Sequence, residues 1–157
     1  MKCPEVIAYK RRIDGVFDYV EKSDAFKDDD ELLAHWTKYI CILVSGFLEV
    51  ALREVYGKFA DDNGNPNIAN FVRKTLDRTN NINTYKALQI AKSFSDEWSA
   101  NLDKLLGQEQ RTAINNIITN RNHIAHGRDS DISYDRIKRD YAYALQVAES
   151  IEQVCGI

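Results

Sequence analysis

The sequence predicts an all-α protein, a compact multi-helix bundle. Only 2 prolines and 7 glycines interrupt 157 residues. No run alternates apolar and polar residues over strand length, and apolar side chains recur at the 3.6-residue spacing of a helix face. A first helix covers Glu5 to Lys22, with Ile7, Ile13, Val16, Phe17 and Val20 as apolar positions. Ser23 to Asp30 is a polar connection, and Asp29 or Asp30 caps the helix that follows, where acidic residues complement the positive end of the dipole. That second helix, Glu31 to Phe59, is the longest. Its middle is apolar on nearly all sides (Ile40, Ile42, Leu43, Val44, Phe47, Leu48, Val50, Leu52), which makes it the central spine.

The segment Asp61 to Asn67 concentrates turn formers and is the clearest break in the chain. Shorter helices follow over Ile68–Asp77 and Thr84–Phe94, then a segment from Asp96 to Leu106 that Gly107 ends. A further helix runs from Gln108 to His126 with Gly127 as its left-handed cap. Asp129 to Ser133 is a loop, and Tyr134 to Val154 forms the last helix. Repeats, low-complexity tracts and linkers are absent, so residues 1–157 are expected to form a single domain.

Composition narrows the function classes. Cys3, Cys41 and Cys155 are widely spaced, odd in number and lack a C-x-x-C pairing, which argues against a disulfide framework or zinc knuckle and fits a reducing cytoplasm. The most apolar run, Tyr39 to Leu48, is about half a bilayer span, and the first residues have no continuous apolar region of signal-peptide type. A cytoplasmic protein with no membrane partner is expected. The formal net charge of −3 excludes a bulk electrostatic nucleic-acid binder, because non-specific affinity comes mainly from neutralised phosphates. Any such contact must rest on a local cluster, for which Arg111, Arg121, Arg128, Arg136, Lys138 and Arg139 are available, diluted by Asp129, Asp131, Asp135 and Asp140.

The most informative stretch is Arg121-Asn122-His123-Ile124-Ala125-His126-Gly127. At about 100° per residue, Ile114, Ile118 and Ala125 share one helix face, filled out by Ile117 and Ile124, and Arg121 falls inside that stripe. A guanidinium stays charged in a protein, so it must meet a buried carboxylate such as Glu49 or Glu54, a subunit interface, or an anionic ligand. Asn116 and Asn120 project away from the stripe and read as hydrated, whereas Asn122 shares the side of His126. His123 projects opposite Ile114 and reads as surface or a minor accessory. His123 and His126 have no carboxylate or cysteine at helical spacing to complete a metal site, so no metal or other cofactor is expected.

An R-x4-H motif written R-N-x-I-A-H-G at the end of the penultimate long helix of a compact bundle resembles the HEPN superfamily. With the spine ending F-L-E-V-A-L-R-E, the chain looks most like its RiboL-PSP-type branch. The resemblance implies a metal-independent endoribonuclease that works as a homodimer, with both motif copies lining one cleft, and that serves as a toxin or in defence against phage, with an antitoxin or inhibitor protein as a further partner. Carried over by position, Arg121 and His126 are the catalytic pair and Asn122 the auxiliary polar residue. In the branch regulated by a nucleotidyltransferase antitoxin a tyrosine follows two residues after the histidine; here that position is Arg128, and regulation through such a tyrosine is not expected.

The residue chemistry fits RNA as substrate. Histidine titrates near neutrality and serves as base or acid, and arginine offers a planar fork to phosphate oxygens. The expected products are a 2′,3′-cyclic phosphate and a 5′-hydroxyl. Positions five apart on a helix differ by about 140° and about 7.5 Å, so a two-fold axis that sets each arginine against the other chain's histidine favours a dimer. Candidate substrate-binding residues are His123, Arg128 and Glu49, the last also able to pair with Arg53 at i, i+4. Among the aromatic residues, Tyr85 reads as core, and Tyr134 or Tyr141 are candidates for base stacking. The alternative is a non-catalytic HEPN-like module that binds RNA or a nucleotide, or serves as a dimeric interaction surface.

Overall fold

In the computed structural model, which describes residues 1–157, seven α-helices and one short 3-10 turn account for the regular structure, with no strand. The helices are α1 (Pro4–Lys22), α2 (Asp30–Asn63), α3 (Pro66–Leu76), α4 (Thr84–Phe94), α5 (Asp96–Leu105), α6 (Gln108–Ala125) and α7 (Tyr134–Cys155), and the 3-10 turn covers Asp24–Phe26. Pro4 opens α1 at a position where its missing N–H costs nothing. The expected polar connection after α1 contains the 3-10 turn because Phe26 is buried there, its ring edge-on to Trp36. Asp29 Oδ1 caps α2 by accepting from the Leu32 N–H at 2.8 Å.

α2 continues four residues past its expected end. Lys58 and Asp62 pair one turn apart at 2.7 Å, Ala60 is buried, and Arg73 of α3 donates through Nε to Asp61 at 2.9 Å. These contacts hold the acidic turn formers helical. Only Gly64 and Asn65 separate α2 from α3, whose start is set by the Asn65 side chain accepting from the Asn67 N–H at 2.9 Å and by Pro66 behind it.

α2 is the spine. It packs against α1, α3, α6 and α7, and α6 in turn packs against both α2 and α7, which also meet directly. One core of 32 buried hydrophobic residues draws on every helix, its largest fully buried side chains including Phe47, Leu48, Leu52 and Tyr56 of α2, Ile114 and Ile117 of α6, and Ile137 and Ile151 of α7. The α4–α5 pair is attached by aromatic packing: Tyr56 stacks on Phe94 with centroids 4.8 Å apart, and Phe59 meets the edge of Trp98 at 4.7 Å. The apolar middle of the spine is not buried on every side, since Tyr39 and Ile42 remain exposed. No helix is long and apolar enough to cross a membrane.

Candidate functional site

α6 delivers the motif. Ala113, Ile114, Ile117 and Ile118 are buried against its neighbours, and the thiol of Cys41 donates to the Ile117 carbonyl at 3.6 Å. One turn further the helix emerges from the bundle. Arg121, Asn122, His123 and Ile124 are half-buried, and Ala125, His126, Gly127 and Arg128 are exposed. The apolar stripe therefore does not continue to Ala125 within one chain, because α6 outruns the helices that cover it.

The end of α6 is set by the backbone. The Gly127 N–H donates to the Ile124 carbonyl at 3.1 Å and the Arg128 N–H to the His123 carbonyl at 2.9 Å, with Gly127 at φ +64°. This pairing is a Schellman motif. It makes His126 the C-cap, at φ −98° and ψ 12°, and its N–H donates to the Asn122 carbonyl at 3.2 Å. The imidazole of His126 makes no hydrogen bond within the chain and does not meet Arg121. It faces solvent at the C-terminal end of the helix.

Arg121 makes one hydrogen bond, from Nη1 to Asn122 Oδ1 at 3.3 Å, and has no carboxylate within ion-pair distance. The expected intramolecular partners are engaged elsewhere. Glu49 accepts from the Asn81 N–H at 2.7 Å, holding a left-handed residue at φ 54° in the α3–α4 turn. Glu54 binds Arg53 Nε at 2.9 Å and Arg73 Nη1 at 3.3 Å. Glu49 thus pairs with neither Arg121 nor Arg53, because the α3–α4 turn docks on its side of the spine; its reach to the motif is indirect. Of the six basic residues near the motif, Arg111 pairs with Asp103, Arg136 with Asp140 and Lys138 with Glu21. Arg121, Arg128 and Arg139 have no such partner.

Neighbouring residues depart from expectation. Asn120 does more than meet water: its Oδ1 accepts from Ser130 Oγ at 2.8 Å while its amide donates to the Asn116 carbonyl at 2.9 Å, anchoring the loop after the motif. Tyr141 is buried, stacked on Phe17 at 5.4 Å, and donates to Asp14 Oδ1 at 3.0 Å. Tyr134 rests edge-on to the same ring and donates to Glu21 at 3.2 Å. The face of α7 that carries both turns toward α1, so neither ring is free to stack a base. Tyr85, read as core, is 69% exposed. It borders an open depression of about 610 Å³ lined by Asn83, Thr84, Leu88, Asn115, Ile118, Thr119 and Asn122. Sequence periodicity could not reveal it, since α4 turns Ala87 and Ala91 to the core instead.

The end of α6 thus gathers a permanent cation without a counter-ion, two imidazoles and an oriented amide. Side chains of these types have the chemistry to bind a phosphate and to move protons. The profile of a family described as RiboL-PSP-HEPN matches residues 7–156. Comparison with curated proteins and with solved structures gives no significant match.

Proposed function

The chain belongs to the RiboL-PSP-HEPN family, and on that premise we propose that it is a metal-independent endoribonuclease, acting as a homodimer of one HEPN domain per chain. The observation that carries this reading is Arg121, a half-buried guanidinium with no carboxylate partner, five residues before a solvent-open histidine. Leaving a cation part-desolvated and unpaired costs stability, and an anionic ligand offsets that cost. Asn122 Oδ1 holds one arm of the fork, leaving the other N–H groups for phosphate oxygens.

In this reading one neutral His126 takes the proton of the RNA 2′-hydroxyl, O2′ attacks phosphorus, and the P–O5′ bond breaks. The departing O5′ takes a proton from a protonated imidazole, the second His126 of a composite cleft. Arg121 neutralises charge on the non-bridging oxygens through the crowded phosphorane. The products are a 2′,3′-cyclic phosphate and a 5′-hydroxyl. His123 and Arg128 contact the flanking backbone, and Glu49 acts through the α3–α4 turn that it holds.

A toxin or phage-defence effector, restrained by an antitoxin or inhibitor protein in the cytoplasm, is the role this activity fits. The alternative of a non-catalytic RNA-binding or dimeric interaction module is favoured by one observation: nothing in the chain orients the His126 imidazole. Cleavage assays decide between them. Wild-type protein is expected to cut single-stranded RNA in EDTA, and His126→Ala to lose about 100-fold or more in rate while sedimenting as the same dimer. Absence of wild-type cleavage, or an unaltered rate in His126→Ala, overturns the enzyme reading.

A further inference from the structure

We propose that the depression between the start of α4 and the face of α6 that leads to Asn122 binds one RNA base, stacked on Tyr85, and selects bases that carry an oxygen where the others carry an exocyclic amine, uracil (O4) or guanine (O6), over cytosine (N4) and adenine (N6). The inference rests on the nuclease reading for the identity of the ligand and deepens it by supplying a base subsite. A lone exposed tyrosine is ordinary on a protein surface. What distinguishes Tyr85 is its surroundings: its ring stacks on no other aromatic side chain, and the depression beside it includes Asn122, which also holds Arg121. A phosphate gripped by Arg121 places an adjoining nucleoside beside this wall.

The free hydrogen-bonding groups of the wall are mainly donors. Asn83 Oδ1 accepts from the Lys86 N–H at 2.9 Å. Asn115 Oδ1 accepts from the Thr84 N–H at 3.0 Å. Asn122 Oδ1 accepts from Arg121 at 3.3 Å. Each carbonyl thus already accepts one bond within the protein, which fixes the amide's orientation and leaves its NH2 group unpaired by protein. The hydroxyls of Thr119 and Tyr85 are likewise without protein partners, and no carboxylate lines the depression.

A wall of donors matches the O4 of uracil or the O6 of guanine. The N4 amine of cytosine and the N6 amine of adenine would set donor against donor. Leu88 and Ile118 supply apolar lining for the flat ring, and the Tyr85 face supplies stacking of the kind other single-strand binders use.

The test uses 2′-O-methyl heptamers that are abasic except at one central position, carrying uracil, guanine, cytosine or adenine, with affinity read by fluorescence anisotropy. These strands lack the nucleophile, so the result stands whether or not the protein cleaves RNA, and EDTA cleavage assays judge the nuclease reading separately. Uracil and guanine are expected to bind wild-type protein about tenfold more tightly than adenine and cytosine, the discrimination of one good pairing. Tyr85→Ala is expected to weaken all four by about fivefold or more, and Tyr85→Phe to preserve most of the affinity. Asn83→Asp keeps the helix cap but exchanges the free NH2 for an oxygen, and is expected to narrow or reverse the preference with an unchanged melting temperature. Equal affinity for the four bases, or full affinity in Tyr85→Ala, overturns the proposal.

Discussion

Gly127 fixes where the motif histidine sits. Its φ of +64° is left-handed, a conformation that costs an L-residue about 1–2 kcal/mol, and the space a Cβ would enter is empty. Gly127→Ala is therefore expected to lower unfolding free energy by about 1 kcal/mol in urea titration, through backbone strain alone. Cleavage should fall too, because His126 adjoins the altered residue; unchanged stability would show that the turn relaxes freely. This cap was legible in the sequence, since a glycine after a helical run obeys a local rule. That Arg121 meets no carboxylate and that Glu49 accepts from the Asn81 N–H instead was not, because which groups meet across helices depends on how those helices cross. Tyr85 was misread for the same reason: its exposure follows from α4 packing through small residues, Ala87 and Ala91, a choice that periodicity does not encode.

At the level of helices, the joint between α2 and the α4–α5 pair depends on Tyr56. The residue is wholly buried among aromatic rings, and its hydroxyl has no hydrogen-bond partner. Tyr56→Phe is expected to leave stability unchanged or raise it by up to about 1 kcal/mol, since an unsatisfied buried hydroxyl is removed while the stacking stays. A loss greater than about 1 kcal/mol in denaturant unfolding would show that the hydroxyl has a partner in solution. Helix existence and order were readable from periodicity and breakers, but the α2 end was not. Asp61, Asp62 and Asn63 have turn propensity, and the tertiary tie from Arg73 to Asp61 together with the i, i+4 pair Lys58–Asp62 overrides it. Asn65 and Pro66 did carry a start signal, an N-cap followed by proline, which the surrounding cluster of turn formers obscured.

Across the whole molecule, ionisable groups couple α1, α2 and α7 to pH with opposing signs. The hydrogen bond from Lys138 holds Glu21 below the usual carboxylate range, and that from Arg73 does the same for Asp61. Their stabilisation is present above the unfolded carboxylate pKa, about 4, and is lost as pH falls through the folded values. Burial pushes Asp140 up despite its pair with Arg136. Its contribution is present at pH below the unfolded value and is lost as pH rises through the folded one. Melting temperatures from pH 6 down to pH 3 are thus expected to fall for wild type, less steeply for Glu21→Gln and more steeply for Asp140→Asn; the reverse order would contradict these environments.

The overall architecture was legible because a chain with few breakers and sustained 3.6-residue periodicity has little choice but a helical bundle. The motif pointed to its family, and the structure adds that Arg121 meets no acidic partner within its own chain. The most direct measurement is mass spectrometry of the ends generated when a defined single-stranded RNA is incubated with the protein in EDTA. The account predicts 2′,3′-cyclic phosphate and 5′-hydroxyl ends with wild type and none with His126→Ala. Intact RNA from both proteins, or 3′-hydroxyl ends paired with 5′-phosphates, would contradict it.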